Sequence, residues 1–166
     1  LLLSSAASDV YKRQENKMAV FTHITKEDLK DFLKNYSFNN LDFIKGINEG
    51  IQNTNYKVGI DSNDYILTIY ENISDTNDIN FFLELMIHLS SNNIKCPTPV
   101  KNLENKSIGR IKSKSSALLT FLEGKSISSI EESHTYEIGK ALAEMHLNVT
   151  NFKLKKKNDL SYNGWS

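Results

Sequence analysis

Between Gly46 and Val58 the chain reads Gly-Ile-Asn-Glu-Gly-Ile-Gln-Asn-Thr-Asn-Tyr-Lys-Val, a run of glycines, short amides and hydroxyls between apolar segments. Such a turn presents backbone N–H groups and small polar side chains together, and that combination can wrap the phosphates of a nucleotide. Asn- and Gly-rich turns are also the ordinary punctuation of hairpins. By itself, then, the stretch predicts a hairpin and leaves its chemistry to the rest of the chain. Glu84 is a second candidate, a carboxylate inside an apolar helical pattern that either faces a cleft or is simply solvated. His134 and His146 have no further ligands at metal spacing, so both read as helix-surface or packing histidines. Lys153 to Lys157 reads as a solvated basic loop face.

Composition narrows the classes. The 166 residues carry 20 Lys and Arg against 20 Asp and Glu, so no basic surface for nucleic acid is indicated. With 39% hydrophobic residues the chain can build one modest core, or one lobe of something larger. The single Cys96 excludes an internal disulfide and cannot make a metal site alone. No apolar stretch is long enough to cross a membrane as a helix. Many of the residues are Asn, Lys, Ile or Ser, a bias that fits genome composition as well as chemistry.

The elements that must position these residues follow from pattern. Thr25-Lys-Glu-Asp28 resembles a capping box, and Leu29, Phe32, Leu33 and Tyr36 recur at helical spacing to about Asn35. Leu41 to Ile47, Tyr56 to Ile60 and Tyr65 to Tyr70 read as three strands, with Asp61-Ser-Asn-Asp64 as a turn. Asn72 to Asn77 is a polar connection. Asp78 is the expected cap of a helix whose apolar band is Phe81-Phe82, Leu85-Met86 and Leu89, ended by Asn92-Asn93. Cys96-Pro-Thr-Pro99 is a stiff extended connector. Ile108 to Ile111 and Ser116 to Leu122 read as two more strands around the turn Lys112 to Ser115, closed by Glu123-Gly124. Ser129-Ile-Glu-Glu132 reads as a second capping box before a helix with His134, Ile138, Ala141, Leu142 and Met145 on one side. The expected class is α+β: a small antiparallel sheet with a helix packed across it, then the start of a second region. No β-α-β repeat appears, which argues against a dinucleotide-binding crossover fold.

Residues 1–17 stand apart. Asp9-Val-Tyr-Lys-Arg-Gln14 resembles the translation of a sequencing adapter, so about residues 1 to 14 read as non-native, with Met18 the expected start; the alternative is a disordered tail. Neither reading gives the segment a function.

From Met18 onward the chain resembles the amino-terminal half of bacterial homoserine kinases of the aminoglycoside-phosphotransferase-like type, within the wider protein-kinase-like fold. The matching stretches are Met18-Ala-Val-Phe-Thr22, Gly50 to Tyr56, Tyr65-Ile-Leu-Thr-Ile-Tyr-Glu71, Phe81-Phe-Leu-Glu-Leu-Met86, Cys96-Pro-Thr-Pro99, Leu119-Thr-Phe-Leu-Glu-Gly124 and Ile138 to His146. The resemblance implies a nucleotide-binding lobe over 18–122, and a hinge with the start of a carboxy-terminal lobe over 123–166. Gly50 to Tyr56, Gln52 among them, would lie over the ATP phosphates, with backbone N–H groups and the Asn53, Thr54 and Asn55 side chains sharing the work of the missing glycines. Glu84 resembles the helix glutamate that orients a phosphate-binding lysine, and Thr120, Phe121, Leu122 and Glu123 resemble a hinge that pairs with adenine. Leu67, Ile94 and Leu119 would line the adenine pocket.

The same resemblance implies ATP and Mg2+ as cofactors, L-homoserine as acceptor and a cytoplasmic enzyme of threonine biosynthesis, with no nucleic-acid or membrane partner. A kinase for choline, methylthioribose or an aminoglycoside is the alternative, as is a nucleotide-binding module without chemistry. Thr68 stands where this fold usually carries a lysine for the phosphates, which leaves Lys57 and Arg110 as substitutes on reach. The catalytic aspartate and the metal ligands would lie in the carboxy-terminal lobe beyond Ser166. The 166 residues are therefore expected to be inactive by themselves.

Overall fold

Thr25 opens the first helix reciprocally. Its hydroxyl accepts from Asp28 N at 3.1 Å, and its own N–H donates to Asp28 Oδ2 at 2.7 Å. This is the expected capping box, with Asp in the usual Glu place. The computed structural model describes residues 21–48, 52–73 and 75–157. Within them α1 spans Lys26–Leu33 and buries Leu29, Phe32 and Leu33.

Five strands follow: β1 Leu41–Ile47, β2 Asn53–Ile60, β3 Asn63–Tyr70, β4 Gly109–Ile111 and β5 Lys114–Thr120. They form one sheet in the order β1-β2-β3-β5-β4, with β1/β2, β2/β3 and β4/β5 antiparallel. Both tight hairpins turn on two residues. Asp61 and Ser62 have φ of 49° and 63°, and Lys112 and Ser113 have 46° and 67°. Positive φ at both central positions fits the right-handed twist of paired strands. Asp61 offsets its strain by accepting from the backbone N–H groups of Asn39 and Asn40, at 3.0 and 2.8 Å. Each turn is two residues shorter than the sequence reading placed it, because Asn63-Asp64 and Lys114-Ser115 are already paired in their ladders.

The β2 boundary moves more. The strand starts at Asn53 instead of Tyr56, since Asn53, Thr54 and Asn55 pair with Tyr70, Ile69 and Thr68. Cross-strand partners override the poor strand propensity of asparagine. Val58, Ile60, Leu67, Ile69, Ala117 and Leu118 are all fully buried, as is Leu29 of α1. Each of the Val, Ile and Leu side chains contributes about 1.5–3 kcal/mol on burial, so these residues are a large part of the hydrophobic stabilisation of the sheet.

The described residues fall into two compact units, one within Leu1–Asn72 and Lys101–Leu119, the other within Ile73–Val100 and Thr120–Ser166. The second begins with α2, Thr76–Ser91, capped by Asp75, whose Oδ1 accepts from Asn77 N at 2.8 Å. Asp78, the cap expected from sequence, lies instead in the first turn, where its charge complements the helix dipole. The buried residues of α2 are Ile79, Leu83 and Leu89; of the expected band Leu89 is buried, Phe81, Leu85 and Met86 are half-buried, and Phe82 is 39% exposed. Asn92 caps the helix and Asn93 follows at φ 64°.

The proline connector after α2 contains no helix. It is fastened by Thr98, whose O accepts from Thr120 N and whose N–H donates to Thr120 Oγ1, both at 2.9 Å. A last helix, α3, spans Glu132–Asn148. It starts after Glu131 rather than at Ser129, because the His134 ring accepts from Glu131 N at 3.0 Å and caps the turn there. No residue of α3 is buried, and Ile138, Leu142 and Leu147 stand open. None of the described helices is long and apolar enough to cross a membrane.

Candidate functional site

Directly opposed residues of an antiparallel pair share a face of the sheet, and successive residues alternate. The register Asn53↔Tyr70, Asn55↔Thr68 and Lys57↔Ile66 therefore defines one face, and Thr54↔Ile69 with Tyr56↔Leu67 the other. The residues proposed from sequence as a single phosphate loop divide between these faces. Gly50 lies outside the described residues, and Gln52 is exposed at the entry to β2.

On the first face Asn53, Asn55 and Thr68 come together. Thr68 is 8% exposed and donates from Oγ1 to Asn55 Oδ1 at 2.8 Å. With its oxygen occupied, the Asn55 amide is left with its N–H groups as donors. A hydroxyl and an amide thus fill the site where a lysine was looked for. Neither suggested substitute fits simply: Lys57 pairs with Asp64 at 2.6 Å, and Arg110 donates to Ser113 O at 3.0 Å from an exposed turn.

The opposite face holds a polar cluster that the sequence reading missed. Thr54, fully buried, accepts at Oγ1 from Phe21 N and Thr22 N, at 2.9 and 3.1 Å, and donates to Glu71 Oε1 at 2.6 Å. Lys114 Nζ pairs with Glu71 Oε2 and donates to Thr22 Oγ1 at 2.8 Å. Tyr56 OH donates to Thr22 O at 2.9 Å and accepts from Ile24 N at 3.2 Å. Lys112 adds a bond to His23 O at 2.8 Å and an ion pair with Asp28 at 3.1 Å. Segment 21–24 is thereby bound across the sheet by β2, the end of β3 and the β4–β5 turn. The Glu71 side chain is only 6% exposed. Burial raises its carboxyl, but hydrogen bonds from Lys114, Thr54 and Thr22, with the Lys114 charge, outweigh it and hold the group below the ordinary glutamate value.

In the second unit, Thr120 ends β5 and is tied to Thr98, Phe121 is half-buried, and Leu122 and Glu123 are exposed. Among the described residues no hydrogen bond engages the main chain of Leu122 or Glu123. Glu84 is exposed and makes no ion pair among the described residues. It borders an open groove with Ile87, His88, Phe152 and Lys153. That groove is shaped by His88 Nε2 on Asn148 O at 2.8 Å and by Phe81 against Phe152, ring centroids 5.6 Å apart. Of the apolar candidates, Leu67 is fully buried on the Thr54 side of the sheet, Leu119 is 7% exposed and Ile94 half-buried.

The fold is that of protein-kinase-like phosphotransferases. The chain superposes on a microcompartment-associated aminopropanol kinase with a TM-score of 0.66, at 13% identity, over 84% of this chain and 46% of that one. An amicoumacin kinase solved with AMP-PNP and Ca2+ gives 0.64 at 17% identity, over 81% and 42%. A spectinomycin phosphotransferase solved with ADP and spectinomycin gives 0.61 at 19%, over 76% and 39%.

Sequence comparison goes further. Residues 44–160 match the model of the phosphotransferase enzyme family known as APH, and the chain belongs to that family. Similar curated proteins include homoserine kinases from Chelativorans sp., 43% identical, and from Parvibaculum lavamentivorans and Agrobacterium fabrum, both 40% identical. Each match runs over 148 residues, 89% of this chain and 46% of the relative, so the chain spans about half the length of these proteins.

Proposed function

We propose that the chain is the ATP-binding amino-terminal part of a kinase that moves the γ-phosphoryl group of ATP to the hydroxyl of L-homoserine, giving O-phospho-L-homoserine for threonine synthesis in the cytoplasm. The observation that carries the acceptor is the similarity to homoserine kinases over 89% of the chain. Structural neighbours that act on other small molecules are under 20% identical and speak to the fold alone.

Two groups of residues, each taken within its own unit, support the ATP reading. Asn53, Asn55 and Thr68 give amide and hydroxyl groups on one sheet face for the phosphates, and the open main-chain groups of Leu122 and Glu123 suit the adenine edge. These residues bind and orient, and catalysis of phosphoryl transfer rests largely on that together with electrostatics. Mg2+ belongs to the proposed chemistry, yet no group of three His, Cys, Asp or Glu able to hold a metal occurs among the described residues.

The test is turnover by the protein encoded by the complete reading frame, with ATP and homoserine, choline, methylthioribose or an aminoglycoside in turn. Phosphorus NMR should show O-phosphohomoserine as the product. Turnover of another acceptor with none of homoserine, or no turnover at all, overturns the reading.

A further inference from the structure

Thr54 links the two faces of the sheet. Its neighbours Asn53 and Asn55 point to the face of Thr68, while its own side chain is held on the far side by Glu71 and segment 21–24. The β2/β3 ladder ends at Asn53↔Tyr70, so Glu71 stands one residue beyond the last rung. From there its two oxygens reach different strands, Oε1 to Thr54 of β2 and Oε2 to Lys114 of β5. A buried carboxylate bound this way helps fix where the start of β2 lies, because moving Thr54 strips Oε1 of its hydrogen bond and leaves that buried oxygen short of a donor. We propose that Glu71 and Lys114 are positioning residues for the phosphate-facing end of β2: they lock Thr54 from behind so that Asn53 and Asn55 stand beside Thr68. The consequence for ATP rests on the kinase reading above. The clamp itself rests on the geometry.

Thr22 makes the clamp composite. Its N–H, hydroxyl and carbonyl engage Thr54, Lys114 and Tyr56 respectively, so segment 21–24 is part of the lock and not a passive tail. Loss of either charged residue is expected to loosen 21–24 and the start of β2 together, although the two are more than thirty positions apart in sequence.

The experiment uses the complete protein with Glu71→Gln and Lys114→Met, and Lys106→Ala as a control that removes a lysine from the exposed Lys106–Glu104 pair. Hydrogen exchange over residues 21–24 and 52–57 is read beside ATP titration. Both Glu71→Gln and Lys114→Met should exchange faster in both segments and bind ATP about tenfold more weakly, the size expected for losing a charge-assisted hydrogen bond. Lys106→Ala should match wild type in both. Unchanged exchange in the two variants overturns the clamp. Faster exchange with wild-type ATP affinity overturns the positioning role and leaves a purely structural pair. If the wild-type protein fails to bind ATP, it is the kinase reading that falls, and exchange alone decides the clamp. Should Glu71→Gln not fold, Lys114→Met, at a side chain 40% exposed, carries the test.

Discussion

Thr68 Oγ1 donates to Asn55 Oδ1 at 2.8 Å across adjacent strands. Replacing Thr68 by Val keeps the shape and removes the donor, leaving the Asn55 carbonyl short of a partner. The expected loss is about 1 kcal/mol of stability, measured as a lower midpoint in urea unfolding. An unchanged midpoint would show that Asn55 re-pairs with water at no cost.

Gly109 tests packing rather than polarity. A Cβ placed there would come within 2.6 Å of Cε2 of Phe32, whose ring is 3% exposed. Gly109→Ala should destabilise the chain by about 1–3 kcal/mol, the usual range for an overpacked core. Gly59→Ala also meets a ring, that of Phe43, but Phe43 is 38% exposed and can swing aside. Thermal melting should therefore rank Gly109→Ala as the more damaging change.

Two tyrosines should titrate late. Burial pushes the phenols of Tyr36 and Tyr70 up to about 12, and Tyr36 OH has no hydrogen-bond partner among the described residues. For these groups the unfolded chain ionises first, near the ordinary value of about 10, so it binds fewer protons than the folded chain above that pH. Stability should fall as pH rises from about 10 towards 12. Absorbance at the tyrosinate band should show a fraction of the seven tyrosines ionising only as the fold is lost. Complete ionisation of a still-folded chain near pH 10 would contradict this assignment.

Acid should act on the clamp in the opposite sense. The Glu71 carboxyl is held below its ordinary value, so its stabilising contribution is complete above the unfolded value of about 4.3 and is lost as pH falls through the lower folded one. Fast exchange over 21–24 should appear only in that acid range, and Glu71→Gln should abolish this pH dependence. A dependence that survives the substitution would assign the acid transition to another group, with Asp28 the first candidate because its carboxyl is also held low, chiefly by the Thr25 N–H and then by Lys112.

Local signals in the sequence carried most of the fold. Leu41–Ile47 was legible as a strand to the residue, and the Thr25 cap, Asn92-Asn93 stop and proline connector were readable because each is a short-range device. What was hidden depends on partners far along the chain. Asn53 to Asn55 read as loop because their strand character comes from β3, not from their own propensities. Lys114 was lost inside a turn drawn two residues too long. Noticing that two residues suffice for such a hairpin would have placed it in β5, though its meeting with Glu71 is a contact across 43 positions that no local pattern carries. Ser129 resembled a better cap than Glu131, and the His134 ring decided the matter.

Cys96, the one cysteine among the 166 residues, sits in the connector after α2, with Sγ donating to Met86 O at 3.4 Å and burial pushing its thiol up. A thiol whose pKa is raised carries less thiolate at neutral pH and so reacts more slowly with alkylating reagents than a free cysteine. The thiol therefore marks the start of the connector whose other end is tied by Thr98 to Thr120: it is a native chemical handle for that segment, two positions from the clasp.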